Sequence, residues 1–246
     1  MIRLYEAFLQ AEREDDQIHI ADMIQNETLK IYSKICGEAI KDAIEKRRHN
    51  QAREMRKWEL LAKYVSNGGA LLDCGFGSGR DLLIASGLGY KVFGCEACVK
   101  YYNDFIVSYP EYRGNLRHED MRKLSFNSEF FDVVRHNASF LHMPLIGPGH
   151  TIHKVFEESW RVLRHGGVMY IYTKAGNGFC LLDTGEGFGL RPFQYFTKDL
   201  LAHVLMECGF SVEYLADIEK DRVLRQPDGT EVRKKIPWVE AIARKA

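Results

Sequence analysis

The sequence predicts an α/β domain, a mainly parallel sheet with helices on both faces, preceded by a helical cover. Three observations carry this. From Ala70 onward, short apolar runs alternate with helical stretches and glycine-rich turns, the pattern of strands joined by helical crossovers. The run Leu71-Leu72-Asp73-Cys74-Gly75-Phe76-Gly77-Ser78-Gly79 leads directly from an apolar strand into a helix. Before Ser66 no proline occurs, and Ile20, Ile24, Ile31, Ile35 and Ala39 recur at roughly helical spacing. The boundary falls there, with residues 1–65 as a cover or lid and 66–246 as the core.

In chain order, the cover carries a charged face at Glu38, Lys41, Asp42, Glu45 and Lys46, with a break around His49 and Asn50. Its apolar positions drift from a strict heptad, which disfavours a coiled coil. Ala70–Cys74 reads as a buried strand, Arg80–Gly87 as a helix, Lys91–Cys95 as a second strand and Cys98–Ser108 as a second helix. A third strand is expected at Asn115–Glu119 and a fourth at Phe131–Arg135, followed by a helix at Thr151–Leu163. Arg164-His165-Gly166-Gly167 supplies a left-handed cap and turn into a fifth strand, Val168–Tyr172. Thr197–Cys208 is helical, and Ser211–Leu215 and Trp238–Ala243 are the last strands. Gln226-Pro227-Asp228-Gly229 reads as a hairpin turn, and the flanking Arg222, Arg225, Arg233, Lys234 and Lys235 solvate it or recruit substrate.

Composition narrows the partners. The 246 residues are 46% apolar and 28% charged, with 34 basic and 34 acidic side chains in balance. That size builds one substantial core, and no global charge recruits nucleic acid or an anionic membrane. No run reaches the roughly 20 apolar residues of a membrane helix, and the charged amino end does not read as a signal peptide. Six cysteines are most simply free thiols in a reducing cytoplasm. Cys95 and Cys98 form one CxxC without a second pair, and no zinc spacing appears, so no metal is expected.

The glycine loop carries the first chemistry. Gly75, Gly77 and Gly79 remove side chains from the turn, so the backbone can approach a ligand closely. The missing Lys-Ser/Thr pair argues against a phosphate-binding P-loop. Glu96, ending the second strand, is placed to accept both hydroxyls of a ribose diol. Asp73 is placed to attract an ammonium, or else to order the loop. Asp120 is a candidate acceptor for an adenine amino group, and Met121 for packing on the purine face.

Together, LLDCGFGSGRD, Glu96, HEDMRKLSF, FFDVVRHNASFLHMP and SWRVLRHGGVMYI resemble, across Ala70–Tyr172, the class I methyltransferases that use S-adenosylmethionine (SAM). The resemblance implies a Rossmann-like sheet of seven strands, the last antiparallel, with SAM above the strands' carboxyl ends. It also implies that the Arg135–His142 region borders the reacting methyl. Asn137 is placed to position SAM or the acceptor, and His136 to orient the acceptor or remove a proton; His142 is a packing or cofactor contact or a base. The segment 173–196, rich in glycine and carrying Lys174, Asn177, Phe179, Asp183 and Glu186, is expected to be a substrate loop. Within it Arg191 is a candidate for a carboxylate or phosphate, Phe193 and Tyr195 for an apolar wall, and Tyr195 also for catalysis. Transfer of a methyl from the sulfonium to a small-molecule acceptor is the leading expectation. RNA or protein methylation, non-catalytic SAM binding, and SAM cleavage or cyclisation remain alternatives, as does the choice among nitrogen, oxygen, carbon and sulfur.

Overall fold

The computed structural model describes residues 1–46, 51–66, 68–183, 189–225 and 231–246, with the backbone alone for 35, 37–46, 51–53, 222–225 and 231. The cover is three helices: α1 (Ile2–Gln10), α2 (Glu14–Lys46) and α3 (Gln51–Leu61). Glu14, Asp15 and Asp16 place three acids in the first turn of α2, where the helix dipole favours them. The expected break at His49 and Asn50 lies outside the described residues, as do the side chains of the charged face from Glu38 to Lys46 and the turn at Gln226–Gly229.

The core follows as β1 (Ala70–Cys74), α4 (Arg80–Gly87), β2 (Lys91–Cys95), α5 (Val99–Ser108), β3 (Leu116–Arg117), β4 (Phe131–Asn137), α6 (Thr151–Val162), β5 (Leu163–Lys174), β6 (Phe179–Asp183), β7 (Leu190–Gln194), α7 (Lys198–Glu207), β8 (Phe210–Arg225) and β9 (Glu231–Lys245). Seven strands form one sheet in the order β3-β2-β1-β4-β5-β9-β8. β9 runs antiparallel to both its neighbours and the other six run one way, so the last strand is the reversed one. Order reverses between β1 and β4, the kind of switch point at whose carboxyl ends open α/β sheets take their ligands. Alternation along each strand separates two apolar layers. Leu71, Val133 and Tyr170 pack with Trp58 of α3 and Phe105 of α5, while Leu72, Val134 and Met169 pack with Phe156 of α6 and Leu201 of α7.

Four expectations need correction. The third strand is only Leu116–Arg117, because Pro110–Asn115 winds into a 3₁₀ helix first. Arg164–Gly167 does not precede β5 but lies within it. The register jumps from Phe131↔Leu163 to Val133↔Val168, so the extra residues bulge out, with Gly166 at φ +73°. The final strands run past the sheet: β9 pairs with β5 over Trp238–Arg244, but with β8 back to Glu231. Segment 173–196 is not a plain loop either. Leu181 faces Pro192 and Cys180 faces Phe193 in an antiparallel β6–β7 ladder, although 184–188, including Gly185, Glu186 and Gly187, lie outside the described residues.

The cover seats on the core at separate points. Phe8 packs edge-on against Phe179 at 5.4 Å, and the Tyr5 hydroxyl donates to the Phe179 carbonyl at 2.9 Å. Cys36 in α2 donates to Asp104 in α5 at 3.3 Å. Among the described residues, no helix is long and apolar enough to cross a membrane.

Candidate cofactor and acceptor site

The glycine loop turns between β1 and α4. Gly79 has φ +74°, and a Cβ there would lie 1.8 Å from the Phe105 ring, so glycine is required on both counts. At Gly75 a Cβ would meet Ser139 at 2.7 Å and Met121 at 3.2 Å. The loop thus closes onto the segments after β3 and β4. Gly77 is different: a Cβ there would meet nothing within 4 Å, so this backbone presents an open face.

Glu96 caps the loop from β2. Its two oxygens accept from the backbone N–H of Gly77 and of Cys98, both at 2.8 Å. Burial pushes its pKa up, and these donors oppose the shift. Each oxygen keeps a further lone pair, which suits a vicinal diol. Asp120 accepts from the Arg122 side chain and backbone and, at 2.9 Å, from Gln25 of α2. Burial favours its neutral form, but Arg122 holds the carboxyl below its ordinary range. The open Gly77 backbone, Glu96 with spare acceptors and Met121 against Gly75 fit a nucleoside carrying a ribose.

Below the loop lies a buried ionic network. Arg135 in β4 sits 2.6 Å from Asp81 and 3.6 Å from Asp73, with its guanidinium over Trp58 at 4.7 Å and Tyr170 at 5.2 Å. Arg80 pairs with Asp81 at 2.9 Å and Glu54 at 3.3 Å, and Lys57 pairs with Glu54 at 3.3 Å. The Asn137 amide donates to Asp81 at 2.7 Å and accepts from Lys57 at 3.2 Å. Burial lifts the Asp73 carboxyl to about 7 against the pull of Arg135. Burial also opposes the Asp81 charge, but Arg135 and Arg80 hold that carboxyl well below the usual range. Desolvation lowers Lys57 to about 8, with Glu54 opposing. The backbone is strained at this point, with Ala138 at φ +59° while its N–H donates to the Tyr172 carbonyl at 2.8 Å.

His136 lies on the opposite face. It is fully buried, its Nε2 is 2.9 Å from the Ser159 hydroxyl, and Phe140 and Phe156 pack around it. Burial and the neighbouring Arg135 lower its pKa to about 3. Strand alternation sends it into the core, so the expectation that it orients or deprotonates an acceptor gives way to a structural role.

Three candidates from 173–196 end on β7 or just beyond it. Arg191, 5% exposed, donates to the Tyr32 hydroxyl of α2 at 3.0 Å. Phe193 lies 4.9 Å from the His142 ring, with the Lys174 ammonium 4.9 Å from its own centroid. Tyr195 packs beside Gly176 at the hairpin base. Tyr32 approaches His142 Nε2 at 2.6 Å.

Sequence reading missed Tyr32, Gln25, Lys57, Asp81 and Arg135. A charge at position 135 inside an apolar strand, with Asp81 directly after the glycine loop, was the available signal for the network. The α2 contacts join residues about 100 positions apart and left none.

The comparisons agree with this geometry. A family model described as a methyltransferase domain matches residues 72–171. A SAM-dependent methyltransferase from Methanosarcina mazei superposes with a TM-score of 0.60 at 21% identity, covering 76% of this chain and 96% of its own. The PH0226 protein from Pyrococcus horikoshii gives 0.58 at 19%, covering 80% and 91%. The Burkholderia thailandensis 1,6-didemethyltoxoflavin-N1-methyltransferase, with 1,6-didemethyltoxoflavin and S-adenosylhomocysteine bound, gives 0.54 at 15%, covering 87% and 89%. The curated proteins contain no match. The sheet order, the glycine loop and the match over residues 72–171 agree on a methyltransferase domain with the fold of the SAM-dependent methyltransferases.

Proposed function

We propose that the chain transfers the methyl group to a small-molecule acceptor held between α2, the turn after β4 and the β6–β7 hairpin. The carrying observation is the course of α2. Through Gln25 on Asp120 and Cys36 on Asp104, one helix ties down two parts of the core beside the glycine loop. That favours an enclosed acceptor over a polymer in an open groove, and residues 1–65 then act as the lid of a 66–246 core. Balanced charge supports the same reading, and the Burkholderia thailandensis relative holds a small molecule. Six free thiols support a cytoplasmic setting.

In this reading Gly75, Gly77, Gly79 and Asp73 hold the amino-acid end of SAM, Glu96 the ribose, and Asp120 and Met121 the adenine. Asn137 borders the reacting centre, while Arg191, Phe193 and Tyr195 line the acceptor side. Bound SAM supplies a methyl on a positive sulfur; the chain orients the acceptor in line behind it and excludes water. Incubation with methyl-labelled SAM and an extract of source cells, followed by separation by size, tests the proposal. Label in a small metabolite is expected, and label confined to RNA or protein would overturn it. Glu96→Ala is expected to weaken SAM binding by about 1.5–3 kcal/mol, ~10- to 100-fold. Unchanged affinity in a folded variant would remove Glu96 from the ribose.

A further inference from the structure

The Tyr32 hydroxyl sits against His142 and Arg191 of the core. His142 Nδ1 lies 2.8 Å from the Pro192 carbonyl, which can only accept, so Nδ1 carries the ring proton. Nε2 therefore presents a lone pair, to which Tyr32 donates at 2.6 Å. The same oxygen accepts from Arg191 at 3.0 Å. Phe193 stands beside both, 4.9 Å from the His142 ring and 5.5 Å from the Arg191 guanidinium. His142 ends the turn after β4, in which Ser139 stands against Gly75 of the glycine loop, and the Tyr32 ring lies 6.4 Å from Tyr101 of α5.

Resting on the small-molecule reading above, we infer that Tyr32 occupies the place of an acceptor hydroxyl, and that the methyl goes to oxygen with His142 as the proton acceptor. The seat asks one atom to donate to Nε2 and accept from a guanidinium while it attacks a carbon. A hydroxyl oxygen has a proton and two lone pairs, enough for all three. A neutral amine has one lone pair and must choose between Arg191 and the methyl. An ammonium cannot accept from Arg191, and a carboxylate cannot donate to Nε2. The buried Phe193 ring beside the seat suits an apolar body behind that hydroxyl, so an alcohol or phenol is the acceptor class.

In the step, the O–CH₃ bond forms as the S–CH₃ bond of SAM breaks, giving a methyl ether and S-adenosylhomocysteine. The hydroxyl proton passes to His142 Nε2 and then to solvent. Burial, with Arg191 and Lys174 nearby, lowers His142 to about 3 against the pull of the Pro192 carbonyl, so its lone pair is available at neutral pH. An oxygen acquiring a methyl becomes a strong acid, and a weak base suffices.

The test supplies ¹³C-methyl SAM and a small-molecule extract of source cells to the full-length protein and reads the labelled methyl by NMR. A methoxyl signal is expected. His142→Phe is expected to slow its appearance at least ~100-fold, the scale of general-base catalysis, with SAM affinity retained. Tyr32→Phe, which keeps the ring and vacates the seat, is expected to lower the acceptor KM about tenfold by relieving the competing closed state, with kcat little changed. An N-, S- or C-methyl signal, an unaltered rate in His142→Phe, or loss of kcat in Tyr32→Phe would overturn the inference while leaving small-molecule transfer intact. Label only in the macromolecular fraction would instead overturn the reading it rests on.

Discussion

Arg135 and His136 are adjacent in β4 and almost wholly buried, at 1% and 0% exposure, yet their protonation states are opposite. Toward α3 and α4, Arg135 keeps its charge. Burial works against the guanidinium, but Asp81 and Asp73 raise its pKa above the ordinary value. The same side holds Glu240, which accepts from the Tyr170 hydroxyl at 2.7 Å and Arg56 at 2.8 Å. Toward α6, His136 meets two hydroxyls and two phenyl rings and stays neutral. One step along a strand thus separates a charged floor beneath the glycine loop from a packed interior. Charge is retained where several carboxylates converge, and neutral hydroxyls cannot compensate it.

Breaking the charged side has the largest expected effect. Arg135→Leu leaves Asp73 and Asp81 buried without their shared cation, and is expected to cost about 3–5 kcal/mol at neutral pH. Urea unfolding measures this. Part of the loss should return as pH falls and the carboxylates protonate. A loss below about 1 kcal/mol would mean that the network is not energetically coupled.

The other side yields a smaller change. His136→Leu gives up its bond to Ser159 and a longer one to Ser139 at 3.4 Å, while Ser159 still donates to the Val155 carbonyl at 2.8 Å, so about 1–2 kcal/mol is expected. Methyl transfer should persist within a few-fold, because His136 takes no proton. The pH dependence sharpens this. The folded pKa of about 3 lies below the ordinary 6.5, so the unfolded chain binds the proton first as pH falls. Stability from this residue is fully present above about pH 6.5 and is lost progressively toward pH 3. At pH 5.5 the wild type should already have lost about 1.4 kcal/mol from this source, and His136→Leu should not. Parallel pH curves for the two proteins would show that His136 does not titrate on unfolding. Asp73, raised to about 7, acts oppositely in both proteins and cancels in the difference.

The two sides of β4 also differ in how much of them could be read beforehand. The strand itself, with Phe131, Val133 and Val134, was legible because apolar runs buried on both faces leave a plain signature. So was the glycine loop, where Gly79 is demanded by both φ and the Phe105 ring. His136 and Arg135 were equally visible as residues, but a strand pattern does not say which face meets acids and which meets phenyl rings. That depends on Asp81, Trp58 and Ser159 arriving from three different helices. The outer halves of β8 and β9 were missed for another reason. Beyond Trp238 they pair only with each other, and Lys220, Asp221, Lys234 and Lys235 alternate with too few apolar residues to mark a strand. In β6 and β7, the intervening glycines outweighed the short apolar runs.

The smallest effect concerns the turn where the two sides of β4 meet. Ala138 follows Asn137 with φ +59°, a conformation that costs an L-residue about 1–2 kcal/mol. Its N–H still bonds to the Tyr172 carbonyl, so the geometry is fixed from β5 and not by the alanine side chain. Ala138→Gly removes the steric cost but adds about 0.5–1 kcal/mol of unfolded-state entropy, leaving an expected net gain of about 0.5–1 kcal/mol in urea unfolding. If the strain serves to hold the Asn137 amide between Asp81 and Lys57, the more stable variant will transfer methyl more slowly at unchanged SAM affinity. If the Tyr172 bond alone sets Asn137, stability will rise and the rate will not move. That rate separates strain used for positioning from strain merely tolerated.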